Sequence, residues 1–290
     1  MIRKAVIAAG GLGTRLLPMS KEFPKEMLPI YLKDDDYIVL KPLLQAVFEQ
    51  LYRYGIRDFC FIVGRGKRAI EDHFTPDSDY IRRMESKVKG ELLTGMLNFY
   101  KMIENSTIVW INQPEPKGFG HAILMARPFV SGEQFVACAG DTFILSDRNN
   151  FLNKMINAHF RYDADSTILV HRVSDPRQYG VAIVEKIEDY TFRVTRVLEK
   201  PQKPPTEIAI IPYYVFNSKV MEVLGELKPS INNEIQLTDA IQAIIDDGGS
   251  VIATFLDSDE VKIDIGTPET YWEALSISYN RFLKKSIDKN

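Results

Sequence analysis

The first half of the chain alternates short apolar segments with segments whose apolar residues recur at helical spacing. Val39, Leu43, Val47 and Leu51 illustrate the helical spacing, since they recur every four residues. This alternation predicts a parallel sheet covered by helices. The predicted strands are residues 5–9, 59–64, 107–113 and 134–141, and the predicted helices are residues 39–54, 67–74, 120–129 and a long charged arm at 79–104.

Strands are more frequent in the second half, where apolar and polar residues alternate one by one. The tripeptide at 188–190 predicts a hairpin turn between two of these strands. We therefore expect an α/β fold with a mixed, mostly parallel sheet flanked by helices, in one domain (1–283) followed by a solvated tail (284–290). The predicted strands are 166–173, 179–187, 192–201, 208–216, 251–256 and 261–268, and the predicted helices lie near 218–227, 237–246 and 268–283.

The composition of the chain limits the kinds of partner that we expect it to bind. The net charge of −3 favours neither nucleic acid nor an anionic membrane surface. Both cysteines, Cys60 and Cys138, lie in apolar segments and are interpreted as reduced core thiols. No apolar segment reaches the about 18 residues of a membrane span, and the first residues lack the apolar region of a signal peptide. We therefore expect a cytoplasmic protein.

A glycine-rich loop, Gly10-Gly11-Leu12-Gly13, follows the first predicted strand, which ends at Ala9. Glycines permit close approach of the backbone, and the N–H groups of such a loop can bind phosphate oxygens. The spacing fits neither a P-loop nor a dinucleotide fingerprint, and Pro18 disfavours a helix directly behind it. Arg15 and Lys25 add two cations that suit a triphosphate, although a ligand-free turn with two surface cations remains an alternative.

The segments GLGTRLLP and FPKEMLPI together resemble the signature GxGTRLxPxTxxxPKxMLP of the sugar-nucleotide pyrophosphorylases. Ser20 stands where that family usually has threonine, and the resemblance continues to about residue 275. In detail it is most similar to the bacterial and archaeal UTP–glucose-1-phosphate uridylyltransferases. The resemblance implies a Rossmann-like nucleotidyltransferase domain, with a nucleotide-binding half at about 1–145 and a smaller sugar-binding half at about 146–283.

The resemblance also implies a role for the residues around the nucleotide. Arg15, Lys25 and Lys200 match the catalytic cations of the family, and the segment QPEPKGFGHA resembles its base-reading element. The amide of Gln113 offers both a donor and an acceptor, which suits the edge of a pyrimidine. His121 is interpreted as a helix-packing residue. The implied nucleotide-binding residues are Ala9, Gly10, Gly11, Gly13, Gln113 and Gly118.

Two aspartates follow predicted strands, Asp141 in CAGDTF and Asp264 in KIDIGTP. Acids at the carboxyl ends of parallel strands face the ligand crevice, and paired carboxylates can hold Mg²⁺ beside phosphate oxygens. Either residue alone would more often be a cap or a turn residue. Both match the metal-binding positions of the family, so the resemblance implies Mg²⁺ as the cofactor.

Further matches to the family imply which residues bind the sugar. Gly180, Glu199, Lys200 and Glu234 fall on the family positions that contact the sugar and its phosphate. Pro212 stands where most relatives have glycine, which leaves the sugar preference open.

The implied reaction joins UTP and glucose 1-phosphate to UDP-glucose and pyrophosphate. dTTP or another sugar 1-phosphate remains an alternative, as does a non-catalytic sugar-nucleotide-binding regulatory subunit. A glycosyltransferase would require a DxD motif, which GDT at 140–142 is not. We further expect a homo-oligomer, a dimer or tetramer, with residues 79–104 and the last helix as candidate contact surfaces.

Overall fold

The computed structural model describes residues 2–34, 37–88 and 90–287, in which helices pack on both faces of a mixed sheet. The strands are β1 (Lys4–Ala9), β2 (Pro29–Asp34), β3 (Tyr37–Pro42), β4 (Asp58–Val63), β5 (Thr107–Asn112), β6 (Phe135–Ala139), β7 (Thr142–Leu145), β8 (Ser166–Arg172), β9 (Gly180–Glu188), β10 (Thr191–Glu199), β11 (Ile208–Phe216), β12 (Val251–Phe255) and β13 (Val261–Asp264). The helices are α1 (Leu43–Tyr54), α2 (Arg68–His73), α3 (Ser78–Met84), α4 (Gly90–Glu104), α5 (Phe119–Met125), α6 (Arg127–Val130), α7 (Asn150–Arg161), α8 (Lys219–Glu226), α9 (Leu237–Asp246) and α10 (Pro268–Ile287).

The main sheet, as far as the described residues show it, has the strand order β5-β4-β1-β6-β11-β8-β12-β10-β9. Strands β5, β4, β1 and β6 pair in parallel, as the first half of the sequence predicts. Strand β11 then runs antiparallel to both β6 and β8. The predicted α/β class with a mixed sheet is confirmed.

The continuous apolar character of the central strands follows from burial on both faces. In β1, the side chain of Ile7 packs in the layer that contains α1 and α7, whereas Val6 packs in the layer that contains α5 and α9. In β4, Phe61 and Ile62 divide between the two layers in the same way. Each strand therefore contributes to two cores, one on each side of the sheet.

The predicted helix at 39–54 is wrong in its first turn. Residues 39–42 belong to β3, which pairs with β2 in an antiparallel ribbon, and α1 begins only at Leu43. Pro42 explains the difference, because the residue before a proline is driven towards extended backbone. The amide of Leu43 then donates to the carbonyl of Leu28 at 3.1 Å, which joins the helix start to the end of the preceding loop.

Other boundaries also differ from the predictions. Strand β7 and helix α7 were not predicted, and the arm at 79–104 consists of α3 and α4 instead of one helix. The hairpin turn at 188–190 is confirmed, because β9 and β10 pair antiparallel directly around it. Helix α10 continues to Ile287, so residues 284–287 are helical and not part of a tail, while 288–290 lie outside the described residues.

The two cysteines are free and buried, as predicted. Burial raises the pKa of the Cys60 thiol to about 12, so this side chain is an inert part of the core. Across residues 2–34, 37–88 and 90–287, no helix is long and apolar enough to cross a membrane.

Helix α4 is held against the body of the protein by Phe99, whose side chain is 3% exposed. The ring of Phe99 lies 6.0 Å from that of Phe48 and 5.3 Å from that of Phe74, both in edge-on geometry. Aromatic pairs at such distances add to the free energy of area burial. The arm is therefore docked on the core around Phe99.

Replacing Phe99 with alanine is expected to lower the free energy of unfolding by about 3–5 kcal/mol, because it leaves a cavity among aromatic rings. Urea denaturation followed by circular dichroism measures this change. Leu97→Ala, at a position that is 39% exposed on the same helix, is the control and should cost less than about 1 kcal/mol. Equal losses for the two variants would contradict a docked arm.

Candidate active site

The carboxyl ends of β1, β4, β5 and β6 lie at one edge of the sheet. The parallel register pairs Ala9 with Val63, Val63 with Asn112, and Ala8 with Ala139. Ligands of open α/β sheets bind at this edge. The glycine loop, Gln113 and Asp141 directly follow these strand ends, so the parallel pairing brings them together.

The glycine loop turns away from the strand without starting an α-helix. A short 3₁₀ turn at Thr14–Leu16 follows Gly13, whose φ of 64° is left-handed. The hydroxyl of Ser20 donates to the carbonyl of Gly13 at 2.7 Å, so serine at this position fastens the loop. A Cβ on Gly10 would lie 2.7 Å from Oε1 of Gln113, which explains the requirement for glycine there. Ala9, the last residue of β1, is buried.

Lys25 and Asp141 meet directly, although 116 positions separate them in the sequence. Lys25 begins a 3₁₀ turn, Lys25–Met27, and its Nζ donates to Oδ2 of Asp141. Burial lowers the pKa of Lys25, but the adjacent Asp141 carboxylate outweighs burial, so the pKa lies above its ordinary value. The ammonium group of Lys25 is thus charged at neutral pH.

Asp141 and Asp264 are joined through Thr142. The hydroxyl of Thr142 lies 3.4 Å from Oδ1 of Asp264 and 3.5 Å from Oδ1 of Asp141. Pairing of β7 with β13 places Thr142 opposite Asp264. Burial, and then the negative charge of Asp141, raise the pKa of Asp264. The structure therefore brings the two predicted carboxylates into one electrostatically coupled pair.

Arg15 lies on the other side of Asp264. A Cβ on Gly266 would be 3.6 Å from Nη2 of Arg15 and 3.5 Å from Oδ2 of Asp264. The positive charge of Arg15 opposes the rise in the pKa of Asp264. Gly266 thus lies next to both the guanidinium of Arg15 and the carboxylate of Asp264.

A buried ion pair behind Lys25 was not predicted. Nζ of Lys67 donates to Oε2 of Glu26 at 2.7 Å, and the two side chains are 8% and 2% exposed. Burial raises the pKa of Glu26 despite the opposing charge of Lys67. Since Glu26 is in the same 3₁₀ turn as Lys25, this pair fixes the turn that presents the Lys25 ammonium.

Gln113 is buried at the start of the segment that leads to α5. Its Nε2 donates to the carbonyl of Gly118 at 3.3 Å and to Nδ1 of His121 at 2.9 Å. Burial, and then the charge of Lys117, lower the pKa of His121, so the neutral ring accepts this hydrogen bond. His121 therefore orients Gln113, a role beyond the predicted helix packing.

Glu234 lies beside Gly118, so a residue predicted for the sugar adjoins one predicted for the nucleotide. A Cβ on Gly118, whose φ is 97°, would be 2.8 Å from Cβ of Glu234. The Glu234 carboxylate accepts a hydrogen bond from Nε2 of Gln236 at 3.1 Å. Among the described residues, no hydrogen bond or ion pair connects the Glu234 carboxylate with Gly180, Glu199 or Lys200.

The other predicted sugar residues form a second cluster. Glu199 pairs with Gly180 across β9 and β10, and its Oε2 accepts from the hydroxyl of Thr238 at 2.8 Å. Nζ of Lys200 lies 3.4 Å from Oε1 of Glu199. The backbone N–H of Lys200 donates to the carbonyl of Tyr179 at 3.1 Å. The structure therefore brings Gly180, Glu199 and Lys200 together, and their role in binding the sugar phosphate stays a prediction.

Pro212 lies at an irregularity of β11, between Ile211 and Tyr214, where the pairing with β8 shifts. A proline cannot donate to a strand ladder, so a bulge accommodates it. The neighbouring Tyr213 is fully buried and donates to the carbonyl of Thr142 at 3.3 Å. Pro212 thus directly precedes the residue that contacts Thr142, which is the neighbour of Asp141 in the chain.

Comparison with known proteins agrees with this geometry. The family model described as nucleotidyl transferase matches residues 4–280. The putative UTP–glucose-1-phosphate uridylyltransferase of Methanocaldococcus jannaschii is 37% identical over 249 residues, covering 84% of this chain and 83% of that protein. The UTP–glucose-1-phosphate uridylyltransferase of Pseudomonas aeruginosa is 32% identical over 289 residues, covering 98% of each chain.

A solved structure of UDP-glucose pyrophosphorylase complexed with UDP-glucose matches with a TM-score of 0.82 and 30% identity, covering 97% of this chain and 100% of that one. The fold, the site geometry and the extent of these matches lead to one conclusion: the chain belongs to the nucleotidyl transferase family.

Proposed function

We propose that this protein transfers a uridylyl group from UTP to glucose 1-phosphate and releases pyrophosphate. The observation that carries the proposal is the convergence of Arg15, Lys25, Asp141 and Asp264 beside the glycine loop, at the edge where parallel strands end. The names of the matched relatives and of the matched structure support UTP and glucose as the substrates.

The chemistry requires positioning and charge neutralisation. A phosphate oxygen of glucose 1-phosphate attacks the α-phosphorus of UTP in line, and pyrophosphate leaves. Because the attacking oxygen is already anionic, no histidine or serine is needed as a base. Lys25 holds the α-phosphate and the incoming phosphate, and Arg15 stabilises the departing pyrophosphate. Lys200 anchors the sugar phosphate.

Asp141 and Asp264 fit Mg²⁺. Their oxygens are the donors that this cation prefers, and their mutual repulsion, which raises the pKa of Asp264, is relieved by a cation. Within the described ranges, no three His, Cys, Asp or Glu side chains form a metal cluster, so substrate phosphates and water would complete the coordination. When bound, Mg²⁺ supplies neutralisation of the phosphate charges.

Gln113 is the candidate reader of the base. Its amide nitrogen is occupied by Gly118 and His121, which fixes the amide plane beside Gly10. With both hydrogens of its amide nitrogen engaged, Gln113 offers Oε1 as an acceptor, which can take the N3–H of a uracil ring. This arrangement supports UTP, while a 5-methyl group on the base would be discriminated by shape.

A substrate panel tests the proposed function. Pyrophosphate release is measured with the four common nucleoside triphosphates and dTTP against several sugar 1-phosphates in the presence of Mg²⁺. We expect the highest kcat/KM for UTP with glucose 1-phosphate. A preference for dTTP or another sugar would change the substrate assignment, and binding without turnover would indicate a regulatory subunit.

Lys25→Ala is expected to lower kcat at least about 100-fold, because it removes a buried cation aimed at the reacting phosphates. Steady-state pyrophosphate release measures this effect. Lys101→Ala, which removes an exposed lysine on α4, is the matched control and should retain wild-type turnover. Near wild-type kcat for Lys25→Ala would remove Lys25 from the catalytic groups.

Replacing both Asp141 and Asp264 with asparagine is expected to abolish Mg²⁺-dependent turnover while leaving the circular dichroism spectrum unchanged. The double change keeps the shape of both side chains and removes two negative charges. Asp189→Asn, in the exposed turn between β9 and β10, serves as the control. Retained Mg²⁺-dependent activity in the double variant would place the metal elsewhere.

We also propose a homo-oligomer that works in the cytoplasm, without nucleic acid or membrane partners. Exposed apolar side chains on β3 and α10, including Leu40 at 56% and Trp272 at 71% exposure, support a contact between copies. The reduced, buried cysteines agree with a reducing compartment. Light scattering after size-exclusion chromatography measures the assembly.

A further inference from the structure

Lys262 is a positively charged residue near the carboxylate pair, and no sequence motif assigns a role to it. It lies on β13 two residues before Asp264, and side chains two apart on a strand point to the same face. Its positive charge lowers the pKa of Asp264, ahead of the contributions from Lys25 and Arg15. Lys262 therefore projects on the same side of β13 as the carboxylate pair.

The ammonium group of Lys262 rests on an aromatic ring. Its Nζ lies 4.5 Å from the centroid of Tyr179, a cation–π contact. No carboxylate of the described residues lies within ion-pair distance of this ammonium, whereas Lys25 is paired with Asp141 and Lys200 with Glu199. Lys262 is thus held in place by a weak contact that an anion can replace.

Tyr179 connects Lys262 with the predicted sugar residues. Its ring supports the Lys262 ammonium, its carbonyl accepts from the N–H of Lys200, and Gly180 follows it in the chain. The two lysines therefore approach the sugar cluster from β13 and from the end of β10, with Tyr179 between them.

A cavity of about 570 Å³ opens beside Lys262 and is lined by Lys262, Tyr179 and Asp264, together with Arg172, Glu260 and Glu273 among others. Its volume is in the range of small-ligand sites. The cavity therefore gives a small ligand access to Lys262.

We propose that Lys262 binds the phosphate of the sugar 1-phosphate together with Lys200, and that Tyr179 is the positioning residue that holds Lys262 ready. This assignment rests on the proposed function. Lys25 and Lys200 are each already partnered by a carboxylate, which reduces the positive charge that they offer to a dianionic phosphate. Lys262 supplies a cation that has no carboxylate of the described residues at ion-pair distance.

Lys262→Met keeps the length of the side chain and removes its charge. We expect it to raise the KM for glucose 1-phosphate about 10- to 100-fold, the usual effect of losing one charge-assisted contact. The KM for UTP and the Mg²⁺ concentration for half activation should stay unchanged. Lys262→Arg should restore most of the loss, and Lys186→Met, at an exposed site on β9, is the matched control.

Isothermal titration calorimetry of glucose 1-phosphate provides a readout that does not depend on turnover. We expect Lys262→Met to weaken this binding by the same factor as KM. An unchanged KM and an unchanged Kd, with an active wild type, would overturn the role of Lys262 and leave the proposed function intact. A change confined to the Mg²⁺ requirement would also overturn it, since Lys262 would then act through Asp264.

An inactive wild type would overturn the proposed function, and calorimetry would still decide the role of Lys262. Weaker binding of glucose 1-phosphate to Lys262→Met than to the wild type would support the role, and equal or absent binding would overturn it. Tyr179→Phe keeps the ring and should retain the wild-type KM. Tyr179→Leu removes the ring and should raise the KM for glucose 1-phosphate without changing that for UTP.

Discussion

The placement of Asp141 and Asp264 beside one another, both half-buried, is the constraint on which the rest of the site depends. Burial, and then the negative charge of Asp141, raise the pKa of Asp264. Two cations from distant parts of the chain offset the negative charge of the two aspartates. Lys25 comes from a 3₁₀ turn and Arg15 from the glycine loop. The same charges that stabilise the carboxylates are then available to phosphates.

At a few positions of the site, the missing Cβ of a glycine leaves space for neighbouring side chains. A Cβ on Gly10 would lie 2.7 Å from Oε1 of Gln113. Gly180 faces Glu199 and Thr238, where a Cβ would lie 2.7 Å from Cγ2 of Thr238. Glycines of the site thus serve contacts between side chains as much as contacts with a ligand.

The sequence predicted most of the sheet because its central strands are buried on both faces and read as continuous apolar segments. It did not predict β7, which has four residues, or the strand character of 39–42, where apolar residues at helical spacing concealed the effect of Pro42. Local pattern alone cannot separate a short strand from the first turn of a helix.

Within the candidate site, the residues that the sequence predicted are those carried by motifs with fixed spacing, such as Arg15, Lys25 and Asp264. Lys67 and Lys262 were missed, because a single lysine in an apolar or mixed segment has no spacing signal. Their partners, Glu26 and Tyr179, are distant in the sequence, and only the folded chain brings them together.

The loop that leads into α5 and the segment before α9 are joined by two backbone hydrogen bonds. The N–H of Gly120 donates to the carbonyl of Ile235, and the N–H of Ile235 donates to the carbonyl of Lys117, both at 2.9 Å. A Cβ on Gly120 would lie 2.7 Å from the carbonyl oxygen of Ile235, so glycine at this position allows the two segments to approach this closely. The segment before α5 and the segment before α9 are thereby fastened to each other, so a shift of one would be transmitted to the other.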